Sequence, residues 1–198
     1  MTEYAKGSFG YWWTVESCEK DIMGKVFNDN LDCTYHNLTS LKGAPREVRG
    51  DFNCSYNNLT TLKDAPEIVR GEFSCTYNKL TNLEGGPRQV EGSFNCDENE
   101  LTSLKGAPRE VCGDFDCSCN NLTTLANAPE QVGRGCNFLC HTNMLTNLIG
   151  APKQVDGRFL CSENKLTTLL GAPKEVGEDF DCSCNKLTNL LGAPKEVG

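Results

Sequence analysis

The stretch Leu59-Thr60-Thr61-Leu62-Lys63-Asp64-Ala65-Pro66-Glu67-Ile68-Val69-Arg70-Gly71-Glu72-Phe73-Ser74-Cys75-Thr76-Tyr77-Asn78-Lys79 is one unit of a repeat. Copies begin at Leu38, Leu59, Leu80, Leu101, Leu122, Leu145, Leu166 and Leu187. The period is 21 residues, except between Leu122 and Leu145, where it is 23. A fixed period of this length specifies a solenoid, because one unit cannot bury its apolar side without a neighbour. Such a rod offers an extended surface more naturally than a catalytic pocket.

Stacking the copies turns the sequence into columns. All 8 prolines fall in one of them, from Pro45 to Pro194, so that column is a turn and not a sheet interior. Leucine fills two columns, one starting at Leu38 and one at Leu41. Valine fills another from Val48 to Val197, and phenylalanine the next from Phe52 to Phe180, with Leu31 in the first copy. These are the predicted core ladders. The segment Asp51-Phe52-Asn53-Cys54-Ser55 alternates polar and apolar, the period of a half-buried strand, and Gly50 precedes it. The pattern predicts one short parallel strand per coil. At about 4.8 Å between strands, the coils make a rod roughly 40 Å long. An asparagine column follows, Asn57 to Asn185, with His36 in the first copy. A buried amide there satisfies the backbone groups that a tight turn leaves unpaired.

The string Phe-x-Cys-x-x-Asn-x-Leu-Thr-x-Leu, then Ala-Pro-x-x-Val, resembles the leucine-rich repeat over roughly residues 30–198. It looks more like the short repeats of bacterial effector proteins, which also place Leu-Thr-x-Leu before a proline turn. Copies with Gly-Ala-Pro-Lys-Glu-Val, such as Gly171 to Val176, are similar to repeats of phage and bacterial proteins. The resemblance implies a leucine-rich-repeat solenoid that supplies a recognition surface. It carries no implied activity, because effector relatives hold catalysis in a separate domain.

Residues 1–29 fall outside the repeat and are expected to cap the first coil. Their aromatic run includes Trp12 and Trp13. Thr14 is placed to N-cap a helix with Val15, Cys18, Ile22 and Val26 on one face. The expected organisation is therefore a cap over 1–29 and a solenoid of about eight coils over 30–198.

Thirteen cysteines invite a disulfide or zinc reading. Eight of them, from Cys33 to Cys182, form one inward column beside phenylalanine and read as small core hydrophobes. Parallel in-register neighbours are poorly placed for disulfides. Cys117-Ser118-Cys119 and Cys182-Ser183-Cys184 have one-residue spacing, short of the two to four typical of zinc. The expectation is reduced thiols, no metal and no cofactor. Cys119, Cys184, Cys112 and Cys136 are the thiols expected to be reachable. The thiol load and the lack of a signal-peptide pattern at Met1-Thr2-Glu3 point to a reducing cytoplasm. No apolar run approaches membrane-spanning length.

Net charge is −8, and its distribution carries the functional expectation. Four columns face outward from the predicted sheet. They hold ten acids, Asp32, Asp51, Glu72, Asp97, Glu98, Asp114, Asp116, Glu163, Asp179 and Asp181, against a single arginine, Arg158. Lysines and arginines gather on the proline side, including Arg46, Lys63, Arg109 and Lys153. The acidic face reads either as a solubility device or as a recognition face for a basic protein partner. Direct nucleic-acid binding is disfavoured, because phosphate contacts need a basic stripe.

Tyr35, Tyr56 and Tyr77 stack in consecutive copies at the edge of that face. They read as a contact ladder or as packing that stiffens the rod. Leu139 and Leu160 break the polar columns and form a second contact spot, and Ile149, Leu170 and Leu191 make another apolar stripe. No catalytic set assembles, since His36 and His141 are far apart along the rod. The resulting expectation is a non-enzymatic protein–protein recognition module, a phage or bacterial factor that occupies a host protein. A structural or virion component and an acidic mimic of nucleic acid are the alternatives. The sequence stops at Val197-Gly198, where the next strand would begin. That predicts a longer native chain or end-to-end self-association through the C-terminal coil.

Overall fold

The computed structural model describes residues 11–12 and 24–198. It is a parallel β-solenoid of about eight turns. Each coil adds one two-residue strand to a main ladder. That nine-stranded sheet runs in chain order from Tyr11–Trp12 through Leu31–Asp32, Phe52–Asn53, Phe73–Ser74, Phe94–Asn95, Phe115–Asp116, Phe138–Leu139 and Phe159–Leu160 to Phe180–Asp181. Neighbours are parallel and in register, phenylalanine over phenylalanine. The strands are short because each is bounded by a turn that only a few residues separate from the next core column. Pairing therefore depends on stacking more than on strand length.

The core is a set of vertical columns. Phe52, Phe73, Phe94, Phe115, Phe138 and Phe159 are fully buried, as are the two leucine columns between Leu59 and Leu148. Consecutive phenylalanine rings stack with centroids 5.0 to 5.7 Å apart. Burying each such side chain is worth roughly 1.5–3 kcal/mol. The cysteine column is buried between them from Cys33 to Cys161, and no disulfide joins the cysteines among the described residues. Their thiols lean on the next coil: Cys96 Sγ lies 3.1 Å from the Asp116 carbonyl.

The asparagine column does the work expected of it. Asn120 Nδ2 donates to the carbonyls of Cys96, Cys117 and Ser118 at 3.1, 3.2 and 2.9 Å, and its Oδ1 accepts from Leu101 N–H at 2.8 Å. The same four contacts recur at Asn78, Asn99, Asn143 and Asn164. Each amide thus ties its own turn to the coil before it.

A second ladder runs along the proline side, beyond the single strand per coil that the alternation predicted. It comprises Val26–Phe27, Glu47–Val48, Ile68–Val69 and Gln89–Val90, then, after a break, Gln154–Val155, Glu175–Val176 and Glu196–Val197. Proline stands two residues before each of these strands except Val26–Phe27, and because it needs no partner for a missing N–H, Pro-x-x-Val is compatible with pairing that starts after it. Isolated bridges Val90↔Val111 and Glu110↔Gln131 carry this ladder partway into the break.

Two columns sit in the left-handed region of φ. One precedes Ala-Pro and is mostly glycine, for example Gly106 at φ 96° and Gly171 at φ 90°. A methyl on Gly106 would come 2.3 Å from the Leu83 carbonyl, so the coils touch backbone to backbone there. The other column has no glycine: Tyr35, Tyr56, Tyr77, Glu98, Cys119, Thr142, Glu163 and Cys184 all have φ between 50° and 58°. Asparagine, one residue further on in every copy but the first, holds that turn closed against its strain.

The cap helix expected from Thr14 lies outside the described residues, apart from its last member. Val26 is not helical. It opens the second ladder, paired with Glu47, because the Lys25 carbonyl accepts the Arg46 N–H at 2.9 Å. Both ladders therefore reach further toward the N-terminus than residue 30. At the other end Leu190, Leu191 and Val197 are exposed.

Candidate recognition surface

The outward columns of the main ladder were expected to carry the site, and the hydrogen bonds show how each is held. In the column before phenylalanine, a side-chain oxygen accepts the N–H of the same position one coil later. Asp51 Oδ1 accepts from Glu72 at 2.8 Å, Asp114 Oδ1 from Asn137 at 2.7 Å, and Asn137 Oδ1 from Arg158 at 2.9 Å. In the column after phenylalanine, Asp116 Oδ1 accepts from Ser118 N–H and Oγ at 2.9 and 2.6 Å, and Asp181 Oδ1 accepts from Ser183 N–H at 2.9 Å. Asparagine performs the same task at Asn30 and Asn53. The acceptor is what the fold requires; the negative charge is additional.

That charge is not neutralised locally. Asp51, Glu72, Asp97, Glu98, Asp114 and Asp116 join no salt bridge among the described residues, whereas Asp179 meets Arg158 at 3.2 Å. The proline side is different. Arg88 meets Glu67 at 2.7 Å, Arg109 meets Glu130 at 3.0 Å, Lys105 meets Glu84 at 2.8 Å, and Arg70 bridges Glu47 and Glu91. Burial, then the nearby carboxylates of Asp116 and Glu98, raise the Asp97 carboxyl to about 6. The centre of the sheet face therefore gains charge as pH passes through the neutral approach.

The predicted residues are brought together unevenly. Tyr35, Tyr56 and Tyr77 form one continuous stack, with centroids 4.5 and 4.6 Å apart and planes within 14°. Their left-handed φ turns them off the sheet edge, and all three are exposed. The stack runs on into Glu98, whose charge is the largest cause raising the Tyr77 phenol. Leu139 and Leu160 pair in register but are half-buried, because in-register parallel neighbours cover one another; they are not the open spot expected. Ser55, Ser74 and Ser118, in columns read as outward, are buried. The left-handed turn follows directly on Ser55 and Ser118, while Ser74, in the column between phenylalanine and cysteine, is covered from the coil before it, where its Oγ meets Ser55 Oγ at 2.8 Å. Ile149, Leu170 and Leu191 do form an exposed stripe.

Burial pushes the thiols of Cys75, Cys96, Cys117 and Cys140 far up, so the inner column is inert. Cys112 and Cys184 are exposed; Cys119 and Cys136 are partly covered. Among the described residues no cluster of three His, Cys, Asp or Glu is arranged to hold a metal ion, and no helix is long and apolar enough to cross a membrane. Sequence reasoning missed one feature, a cleft of about 860 Å³ beside the two-residue insertion, lined by Glu130, Gln131, Val132, Arg134, Gly150, Ala151, Pro152, Lys153, Gln154 and Asp156. The 23-residue spacing was its signal. Comparison with family models, with curated proteins and with solved structures returns no match.

Proposed function

We propose that this solenoid is a non-enzymatic recognition module whose sheet face engages a basic surface on a protein partner. One observation carries the reading: apart from Asp179, which meets Arg158, the acids on that face join no salt bridge among the described residues, while the arginines of the opposite side are largely paired with glutamates. An uncompensated field of this kind speeds encounter with a cationic surface. The tyrosine stack at its edge adds rigid aromatic contact area at little entropic cost. The leucine-rich-repeat resemblance, with its effector-like and phage-like units, supports a phage or bacterial factor acting in the cytoplasm on a host protein.

The test exploits the finding that asparagine replaces aspartate as an acceptor elsewhere in the same columns. Asp114→Asn with Asp116→Asn removes charge and keeps the turns. A partner captured from bacterial lysate should bind the variant with an association rate several-fold lower at low salt, converging with the parent at high salt. Failure to capture any partner, or binding equal in both proteins and indifferent to salt, would reject the reading.

A further inference from the structure

The second ladder has no strand between Gln89–Val90 and Gln154–Val155; isolated bridges carry it as far as Gln131, and the step from the Val132 coil to the Val155 coil, which has no bridge, borders the cleft. Between Val132 and Phe138 the chain carries two residues more than in other coils, within Gly133-Arg134-Gly135-Cys136-Asn137. In an intact rung, as between the coils at Val48 and Val69, Glu67 N–H donates to the Arg46 carbonyl at 2.8 Å and Arg70 N–H to the Val48 carbonyl at 2.9 Å. The equivalent donors at the break are Lys153 N–H and Asp156 N–H, and the equivalent acceptors are the carbonyls of Glu130 and Val132. None of these bonds forms, and the four groups have no other hydrogen-bond partner among the described residues. Pairing resumes on both flanks: Lys174 N–H reaches the Lys153 carbonyl at 2.8 Å, and Gly157 N–H the Cys136 carbonyl at 3.1 Å. The cleft is thus lined by two strand edges, one offering donors and the other acceptors, in the pattern of a missing parallel strand. Its volume of about 860 Å³ lies within the usual range for ligand clefts.

The charges at the rim select the occupant. Glu130 is neutralised by Arg109 at 3.0 Å, while Asp156 accepts from the Gln154 amide at 2.9 Å and keeps its charge, so Arg134 and Lys153 outnumber it at the rim. Both cations, Arg134 and Lys153, are exposed and belong to no salt bridge among the described residues. Lys174 and Lys195 continue the Lys153 column in the next two coils, also without an ion-pair partner among the described residues. Ile149, 60% exposed, stands beside the lining residue Gly150.

We propose that this cleft accepts an extended acidic peptide segment of another protein, which adds as a strand to the Lys153–Asp156 edge and places its carboxylates against Arg134 and Lys153. Strand addition to an open edge draws affinity from main-chain bonds and specificity from the side chains that flank them. The site lies on the proline side and is independent of the acidic sheet face.

The test is selection from a library of random short peptides against the parent chain and against a variant with Arg134 and Gly135 deleted, which restores the regular spacing. Acid-rich peptides should be enriched on the parent, protect the Lys153 and Asp156 amides from hydrogen exchange, and lose roughly tenfold or more in affinity on the deletion. Arg134→Glu with Lys153→Glu, two exposed changes outside the core, should cause a similar loss, so the test stands even if the deletion variant does not fold. Backbone N-methylation of a selected peptide should abolish its binding. Four results would overturn the proposal: no peptide that discriminates the parent from the charge-reversed variant; protection that appears at Asp116 instead; binding that survives N-methylation; or protection of Lys153 that rises with protein concentration alone, which would mean a second copy fills the cleft.

Discussion

The two ladders meet the same insertion and respond differently. In the main ladder Phe115 pairs with Phe138 in register, as if the coil were regular. In the second ladder the strands stop at Gln89–Val90 and restart only at Gln154–Val155. The main ladder is pinned from the side: stacked phenylalanines fix its height, and Asn143 Nδ2 still reaches the Cys117 carbonyl at 3.0 Å across the longer coil. The second ladder has only valine beneath it and surface ion pairs above, each worth little. Val132, the valine of the inserted coil, is accordingly only half-buried. Side-chain columns, more than backbone pairing, hold the register of this rod.

The largest expected effect comes from cutting a pin. Asn120→Ala would leave buried carbonyls of Cys96, Cys117 and Ser118 and the Leu101 N–H without their partner. Stability should fall by about 3 kcal/mol or more. Gln89→Ala in the second ladder loses an exposed bond to Glu91 and should change stability by less than about 0.5 kcal/mol. Equilibrium denaturation in urea compares the two. Equal losses would erase the distinction between pinned and unpinned ladders.

Glycine substitutions sharpen it next. Gly106 and Gly135 both have positive φ, but a methyl at Gly106 strikes the coil before it and one at Gly135 meets nothing within 4 Å. Gly106→Ala should cost about 2 kcal/mol or more, and Gly135→Ala about 1 kcal/mol, the conformational cost alone. Thermal melts of both variants read the difference, which isolates the close coil-to-coil approach. Indistinguishable melting temperatures would mean the coils can part at Gly106.

A smaller effect is tied to pH. Asp97 binds its proton more tightly when folded, with a carboxyl raised to about 6. The stability this gives is complete below about pH 4 and is lost as pH rises through about 6. Asp97→Asn should therefore raise the melting temperature at pH 7 and leave it unchanged near pH 3.5. A two-unit shift corresponds to about 3 kcal/mol, but the side chain is half-exposed and screening reduces the expected gain to about 1 kcal/mol. A gain that is the same at both pH values would remove the carboxylate as its cause.

Thiol reactivity separates the regions without altering stability. Timed alkylation read by peptide mass spectrometry should label Cys112 and Cys184 first, Cys119 later, and Cys54, Cys75 and Cys161 only on unfolding. Cys119 lags because burial and the neighbouring Glu98 raise its thiol. Early labelling of Cys75 would place the strand register one residue out.

The sequence by itself determined the solenoid, its core columns and the parallel main ladder. Repetition makes each column visible, and an alternating Asp51-Phe52-Asn53-Cys54-Ser55 can bury phenylalanine and cysteine on one side only. It also marked the asparagine turns, because a polar residue recurring beside core leucines needs backbone partners. The tertiary structure alone decided the second ladder, the left-handed tyrosine column and the cleft. Val48 reads as a core residue whether or not its backbone pairs with Val69; pairing depends on how closely successive proline turns stack. The left-handed φ of Tyr56 leaves no trace in its residue type, since it is imposed by the asparagine bonds around it. The 23-residue spacing announced an irregularity after Leu122 but not which ladder would yield. That was settled by the difference between a column of stacked rings, which resists displacement, and a strand edge held by few side chains, which does not.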